Sequence, residues 1–193
     1  MSRWEPDARE RLERAALELF VEQGFATTTV PQITARAGLT TRTYFRHFAD
    51  KREVLFAYEG DLPARVAKLM ADAPASLGPM RLIAEGLETM ATTLFEGRLD
   101  YLRTRQVVIQ TDDGLREREL RKQSILTEAI TSGFRDRGLD ELTSTVAAHI
   151  AVSVFSVAVT RWLAQGDSES VDYTPLSEFL GETLETVRSV VGG

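Results

Sequence analysis

The sequence predicts an all-α protein: a three-helix N-terminal domain carrying a helix-turn-helix, joined to a larger helical bundle. Three observations carry this. Apolar residues recur at three- and four-residue spacing along most of the chain, no stretch of useful length alternates with the period of a strand, and Thr, Asp and Gly punctuate the pattern where helices start and stop. About nine helices are expected. The division is expected between residues 1–50 and 51–193.

From Asp7 to Gln23, Leu12, Ala15, Ala16, Leu19 and Phe20 make one apolar face, and Arg9, Arg11, Glu13, Arg14, Glu18 and Glu22 make the other. Gly24 ends this helix, and Phe25 packs back on it. The arm Ser2-Arg3-Trp4 is expected to fray into solvent, with Arg3 near enough to the reading end to touch a minor groove. Thr28 or Thr29 caps a second helix, Pro31 suits its first turn, and Val30, Ile33 and Ala37 form its stripe. Gly38 supplies the tight turn, Leu39 plugs it, and Thr40 caps a third helix running through Phe48. At 100° per residue, Thr41, Arg42, Phe45 and Arg46 share a sector of about 140°, whereas Tyr44 and Phe48 lie on another. The first face is basic and exposed; the second is core.

Two short helices around a glycine turn, the second presenting arginines, describe a reader of the major groove. The plainer alternative is a helical hairpin with a solvated charged face. Thr28-Thr29-Val30-x-x-Ile33, Ala37-Gly38-Leu39, Thr43-x-Phe45-x-His47-Phe48 and Lys51-x-x-x-Leu55 resemble the N-terminal signature of TetR-family transcriptional regulators, over residues 8 to 56. The resemblance implies that Thr41, Arg42, Phe45 and Arg46 meet bases and nearby backbone, and that Thr43, His47 and Lys51 hold phosphates. Thr29, Gln32, Thr40 and Tyr44 complete the candidate DNA-binding set. Two positions depart from the family pattern: Phe45 stands where tyrosine is usual and Tyr44 where leucine is usual. Phe45 has no hydroxyl for a phosphate but can press on a thymine methyl. Tyr44 needs a hydroxyl partner inside the domain. Pro31-Gln32 replaces the basic residue many relatives carry, which leaves the second helix little to offer a base.

Asp50 caps a connecting helix from Lys51 to about residue 72, with a bend or break expected between Gly60 and Pro63. Residues 73–79 read as a linker, followed by helical patterns from Met80 to about Glu96 and from about Leu99 to Ile109. Thr111-Asp112-Asp113-Gly114 breaks and recaps the chain. A long helix then carries Leu115, Leu120, Ile125, Leu126, Ile130 and Phe134 to a stop at Arg137-Gly138, its other side solvated. Asp140 caps a helix from Glu141 to about Gln165 that is apolar nearly all round from Val146 to Leu163. Such a helix is buried on every side, against its own bundle and a second copy of the chain. A polar loop covers 166–170, and Thr174-Pro175 opens a last helix with the stripe Leu176, Phe179, Leu180, Leu184, Val187 and Val191.

The chain has 193 residues, no cysteine and net charge −6. Disulfides and thiolate metal sites are excluded by composition, and no apolar run is read as reaching the ~20 residues of a membrane span. With no signal-peptide pattern, a cytoplasmic location is expected. Residues 29–52 set Arg36, Arg42, Arg46, Lys51 and Arg52 against Asp50 alone, so an acidic body stands behind a basic tip. Cysteine nucleophiles are ruled out, and of two histidines His47 lies in the motif and His149 on an apolar helix. No cofactor motif is present and no enzyme is expected.

Two functions stay open. One is a ligand-responsive regulator, a repressor released from a palindromic operator on double-stranded DNA by a largely apolar small-molecule effector. The other is a helical acyl- or lipid-like carrier without specific DNA binding; the C-terminal half faintly resembles acyl-binding relatives, which would make the ligand an acyl thioester or similar lipid. A homodimer is expected through the helices at 141–165 and 175–191, with Ala147, Ala151, Ala158 and Val154 at the contact. Opposite the alanines, Thr145, His149, Ser153, Ser156 and Thr160 form a polar stripe. It either bonds back to its own helix or faces an effector pocket lined also by Met90, Phe95, Tyr101 and Gln106.

Overall fold

The computed structural model describes residues 8–56, 61–166 and 173–192. Among these the chain forms ten α-helices and no strand: α1 Ala8–Gln23, α2 Val30–Arg36, α3 Thr41–His47, α4 Glu53–Phe56, α5 Leu62–Asp72, α6 Pro79–Met90, α7 Leu99–Gln110, α8 Asp113–Asp136, α9 Glu141–Leu163 and α10 Leu176–Gly192. After α6 the backbone runs on as a π-helical turn, Ala91–Phe95, that the sequence pattern did not announce. The N-terminal arm, Gly60 and most of the 166–170 loop lie outside the described residues. Two compact units result, residues 1–60 with 104–119, and residues 61–103 with 120–193.

The first unit is built on α1. Leu12, Ala16 and Phe20 are buried beside Ile33 of α2, Tyr44 of α3 and the cap Phe48, and the helices pack on α1 in turn. Phe25 follows Gly24 back onto Phe20, ring centres 5.1 Å apart and edge to face. The expected boundary at residue 50 moves, because α4 and residues 104–119 belong here. Arg105, almost fully buried, donates from Nε to the Leu55 carbonyl at 2.6 Å and pairs with Glu119 at 3.1 Å. Its guanidinium lies 5.0 Å from the Phe56 ring centre, and Arg118, paired with Glu53, lies 5.3 Å from the same ring. The carbonyl, the carboxylate and the ring stand in for the water this buried guanidinium has lost.

In the second unit α9 packs on α10 and α6. By length and composition α9 is apolar enough to cross a membrane, which corrects the expectation that no run reaches that length. Its fully buried Ala148, Ala158 and Trp162 are those of a core helix. A second correction concerns the face it buries. Ala147, Ala151, Val154 and Ala158 are inside the subunit, since small side chains let α6 and α10 approach closely. Leu142, Val146 and Val157 are left outward with His149 and Ser153.

Arginines finish the helix ends here. Arg103 donates to the carbonyls of Leu163, Gln165 and Gly166 at 3.0, 2.7 and 2.7 Å, closing α9. Arg137 donates to those of Met70, Ala73 and Pro74 at 2.9, 3.0 and 2.6 Å, closing α5. These carbonyls are the orphan acceptors of a helix C-terminus, and a cation there also answers the helix dipole. The break expected between Gly60 and Pro63 is present, with Asp61 in a turn before α5 starts at Leu62. Pro63 sits in the first turn of α5, where its missing N–H breaks no bond.

Candidate nucleic-acid interface

The motif is locked by local hydrogen bonds. Thr29 caps α2, accepting from the Gln32 amide while Gln32 Oε1 accepts from the Thr29 amide at 2.8 Å, a reciprocal capping box. Gln23 donates to the same Oε1 at 3.3 Å. Gly38 carries the turn at φ 65°, a conformation that strains any residue with a Cβ. Leu39 donates to the Thr34 carbonyl at 2.8 Å, and Arg11 reaches from α1 to donate to the Ala37 carbonyl at 2.5 Å. Arg11 was expected on a solvated face. No pattern in sequence links it to a carbonyl 26 residues away. Thr40 caps α3, accepting from the Thr43 amide at 3.2 Å, its hydroxyl 3.0 Å from that of Thr43.

Thr41, Arg42, Phe45 and Arg46 share the outward side of α3, with Phe45 57% exposed. Arg42 bonds to none of the described residues; Arg46 lies 3.4 Å from His47 Nε2. His47 is half-buried against Phe48, ring centres 6.1 Å apart. The face therefore carries two guanidinium groups, that of Arg46 beside His47, flanking one exposed aromatic ring. Bidentate arginine and an apolar side chain are the groups that read guanine edges and thymine methyls.

Two candidates leave the set. Tyr44 is fully buried, its hydroxyl donating to the carbonyls of Asp50 and Lys51 at 3.3 and 3.4 Å. Burial, with the negative charges of Asp50 and Glu53, pushes its phenol well above the usual tyrosine range. Lys51 is committed as well. Its ammonium donates to the carbonyls of Phe25, Thr28 and Ala26 at 2.6, 2.8 and 3.4 Å and lies 4.1 Å from the Phe25 ring centre. Those bonds occupy the donors that a phosphate would need. Desolvation lowers its pKa, against the opposing charge of Asp112.

Arg36 also contributes less to the tip than its charge suggests. It pairs with Glu22 at 2.7 Å and Glu18 at 3.3 Å, so Glu22 titrates below its usual range chiefly through that hydrogen bond. Arg52 pairs with Asp50 at 3.1 Å. Arg42 and Arg46 remain the cations of the reading face.

The eight ligand-site candidates do not converge. Met90 lines an apolar cavity, and Phe95 is buried 5.2 Å from the Phe155 ring and 6.5 Å from Trp162. Tyr101 lies under the Arg98 guanidinium at 5.6 Å, and Gln106 belongs to the first unit. Thr145, His149 and Ser153 line an open groove along α8 and α9, with Thr145 bonding back to the Glu141 carbonyl at 2.8 Å. Ser156 is half-buried, its carbonyl accepting from Thr160 at 2.8 Å. The polar stripe is thus the outward face of α9, and among the described residues neither that groove nor the apolar cavity brings the eight candidates together. An all-round apolar helix carries no pattern that says which side is inside; the small alanines decided it through close packing.

Residues 13–58 match the profile of bacterial regulatory proteins, tetR family. The HTH-type transcriptional regulator TcmR of Streptomyces glaucescens is 33% identical over 92 residues, 48% of this chain and 41% of its own length. The chain thus spans less than half of that relative. The HTH-type transcriptional repressor AcnR of Corynebacterium diphtheriae is 25% identical over 94% of this chain and 92% of its own. A solved SmeT–triclosan complex shares the fold with TM-score 0.58 at 19% identity, covering 96% of this chain and 91% of the other.

Proposed function

We propose that this chain, whose residues 13–58 match the tetR family of bacterial regulatory proteins, is a TetR-family regulator: a ligand-responsive, sequence-specific DNA-binding repressor that leaves its operator when a small molecule binds. The observation that carries this is the outward face of α3, where Arg42, Phe45 and Arg46 stand on a helix fixed by the Gly38 turn and the Thr40 cap. Thr29 with Gln32 caps α2, Thr40 caps α3 by accepting from the Thr43 amide, and Thr41 and His47 flank the reading face. The first unit reads DNA in the cytoplasm; the second binds the effector and dimerises. The named relatives are transcriptional regulators and supply no enzyme precedent. The triclosan complex of the SmeT fold relative supports a largely apolar effector for this chain also.

A homodimer places two recognition helices about 34–36 Å apart, one turn of B-DNA, which makes the operator a palindrome. The outward apolar residues of α9 support that assembly. The test is duplex binding of the whole chain to its own promoter region at two salt concentrations. A regulator holds that duplex at least a thousandfold more tightly than a scrambled one, with both affinities falling as salt rises. Equal affinity for both duplexes refutes the reading and leaves the carrier.

A further inference from the structure

The chain has nine phenylalanines, and Phe45 alone is exposed; the other eight are buried or half-buried. Its ring is nevertheless held in place. It stands edge to face on Tyr44, ring centres 5.6 Å apart and planes at 79°. Tyr44 in turn packs on Phe48 at 5.1 Å and is anchored through its hydroxyl to the carbonyls of Asp50 and Lys51. An apolar ring propped outward in this way has already given up rotamer freedom, so covering it with a partner costs little further entropy and removes hydrocarbon from water.

The chemistry of the ring limits what it can cover. A phenyl group neither donates nor accepts, so it cannot tell bases apart by their hydrogen-bonding edges. Pressed on a purine N7, or on the O4 or N4 of a pyrimidine, it would strip water from a polar atom and offer no bond in return. The apolar group that a base pair shows in the major groove is the methyl on C5 of thymine. The base 5-methylcytosine carries the same methyl on the same carbon. Arg42, three residues back on the same face, and Arg46 beside the ring are the groups that take guanine O6 and N7. Three residues of helix advance ~4.5 Å, and successive bases of a strand lie ~3.4 Å apart. A guanine held by Arg42 and a methyl under Phe45 therefore belong to neighbouring base pairs.

We propose that Phe45 reads the C5 methyl of a pyrimidine, thymine or 5-methylcytosine, beside a guanine taken by Arg42. The proposal rests on the regulator reading and deepens it, because methylation of a cytosine at that position then acts as a switch on operator binding.

The test uses the full chain and the promoter duplex. Each thymine of the bound site is replaced in turn by deoxyuridine, which deletes the C5 methyl and leaves the hydrogen-bonding edge intact, and each cytosine in turn by 5-methylcytosine, which adds one. At one position per half-site, uracil should weaken binding, or 5-methylcytosine strengthen it, by about threefold or more, the scale of one buried methyl. A response in the uracil series assigns thymine as the base read; a response in the methylcytosine series alone assigns 5-methylcytosine. Phe45→Ala should bind the paired duplexes alike at that position, and Phe45→Leu, still apolar, should keep part of the preference. On a duplex the chain holds specifically, the absence of a responsive position in either series overturns the methyl reading, and so does a response that Phe45→Ala leaves unchanged. Equal affinity for operator and scrambled duplex instead refutes the regulator reading, and this one with it.

Discussion

The Lys51 ammonium is a staple: it donates to the Phe25 carbonyl at 2.6 Å and lies 4.1 Å from the centre of the Phe25 ring. One side chain thereby ties the start of α4 to the turn after α1. A lysine beside a DNA-reading helix is expected to hold a phosphate, but its donors here are turned inward.

Lys51→Met should therefore lower stability by about 2–3 kcal/mol, the scale of charge-assisted hydrogen bonds with their carbonyls left behind. Urea denaturation gives that number. The salt slope of operator binding, measured on the folded variant, should stay as it is; a slope reduced by about one unit would restore a phosphate role.

Arg42 and Arg36 should separate cleanly. Arg42→Ala is expected to weaken operator binding by about 1–3 kcal/mol and to relax preference at one base position. Arg36→Ala, whose exposed pair with Glu22 and Glu18 faces α1, should change operator affinity and stability little, since solvent screens such a pair. Competition assays against single-base operator variants report both.

Tyr44 should make the first unit alkali-sensitive. Its folded pKa is raised above the unfolded value, so its contribution is fully present below the unfolded tyrosine pKa of about 10 and is lost as pH rises toward the folded one. Ultraviolet titration of the four tyrosines should show one phenol ionising only as the chain unfolds. Tyr44→Phe should blunt the alkaline loss, at a neutral-pH expense of about 0.5–1.5 kcal/mol for its two long hydrogen bonds.

The assembly prediction follows from the outward face of α9. Val146→Glu with Val157→Glu places charges at two half-exposed apolar positions and should give monomers at micromolar concentration in sedimentation equilibrium. Helix content should be kept. A dimer that persists in the double variant assigns the contact elsewhere.

Much of this protein was legible in the sequence because its signals are local. Thr29, Thr40, Asp50 and Asp140 cap helices within three residues of themselves, Gly38 needs only its own backbone, and the period of α3 separates Arg42, Phe45 and Arg46 from Tyr44 and Phe48. Tertiary structure alone decided what lies across long gaps. Arg11 reaches Ala37, Lys51 reaches Phe25, and Arg105 reaches Leu55, each joining a long flexible cation to a carbonyl that no periodicity marks. It decided the faces of α9 too. A helix apolar on every side has no pattern to orient it, so alanine packing turned Ala151 inward, and His149 was left facing out.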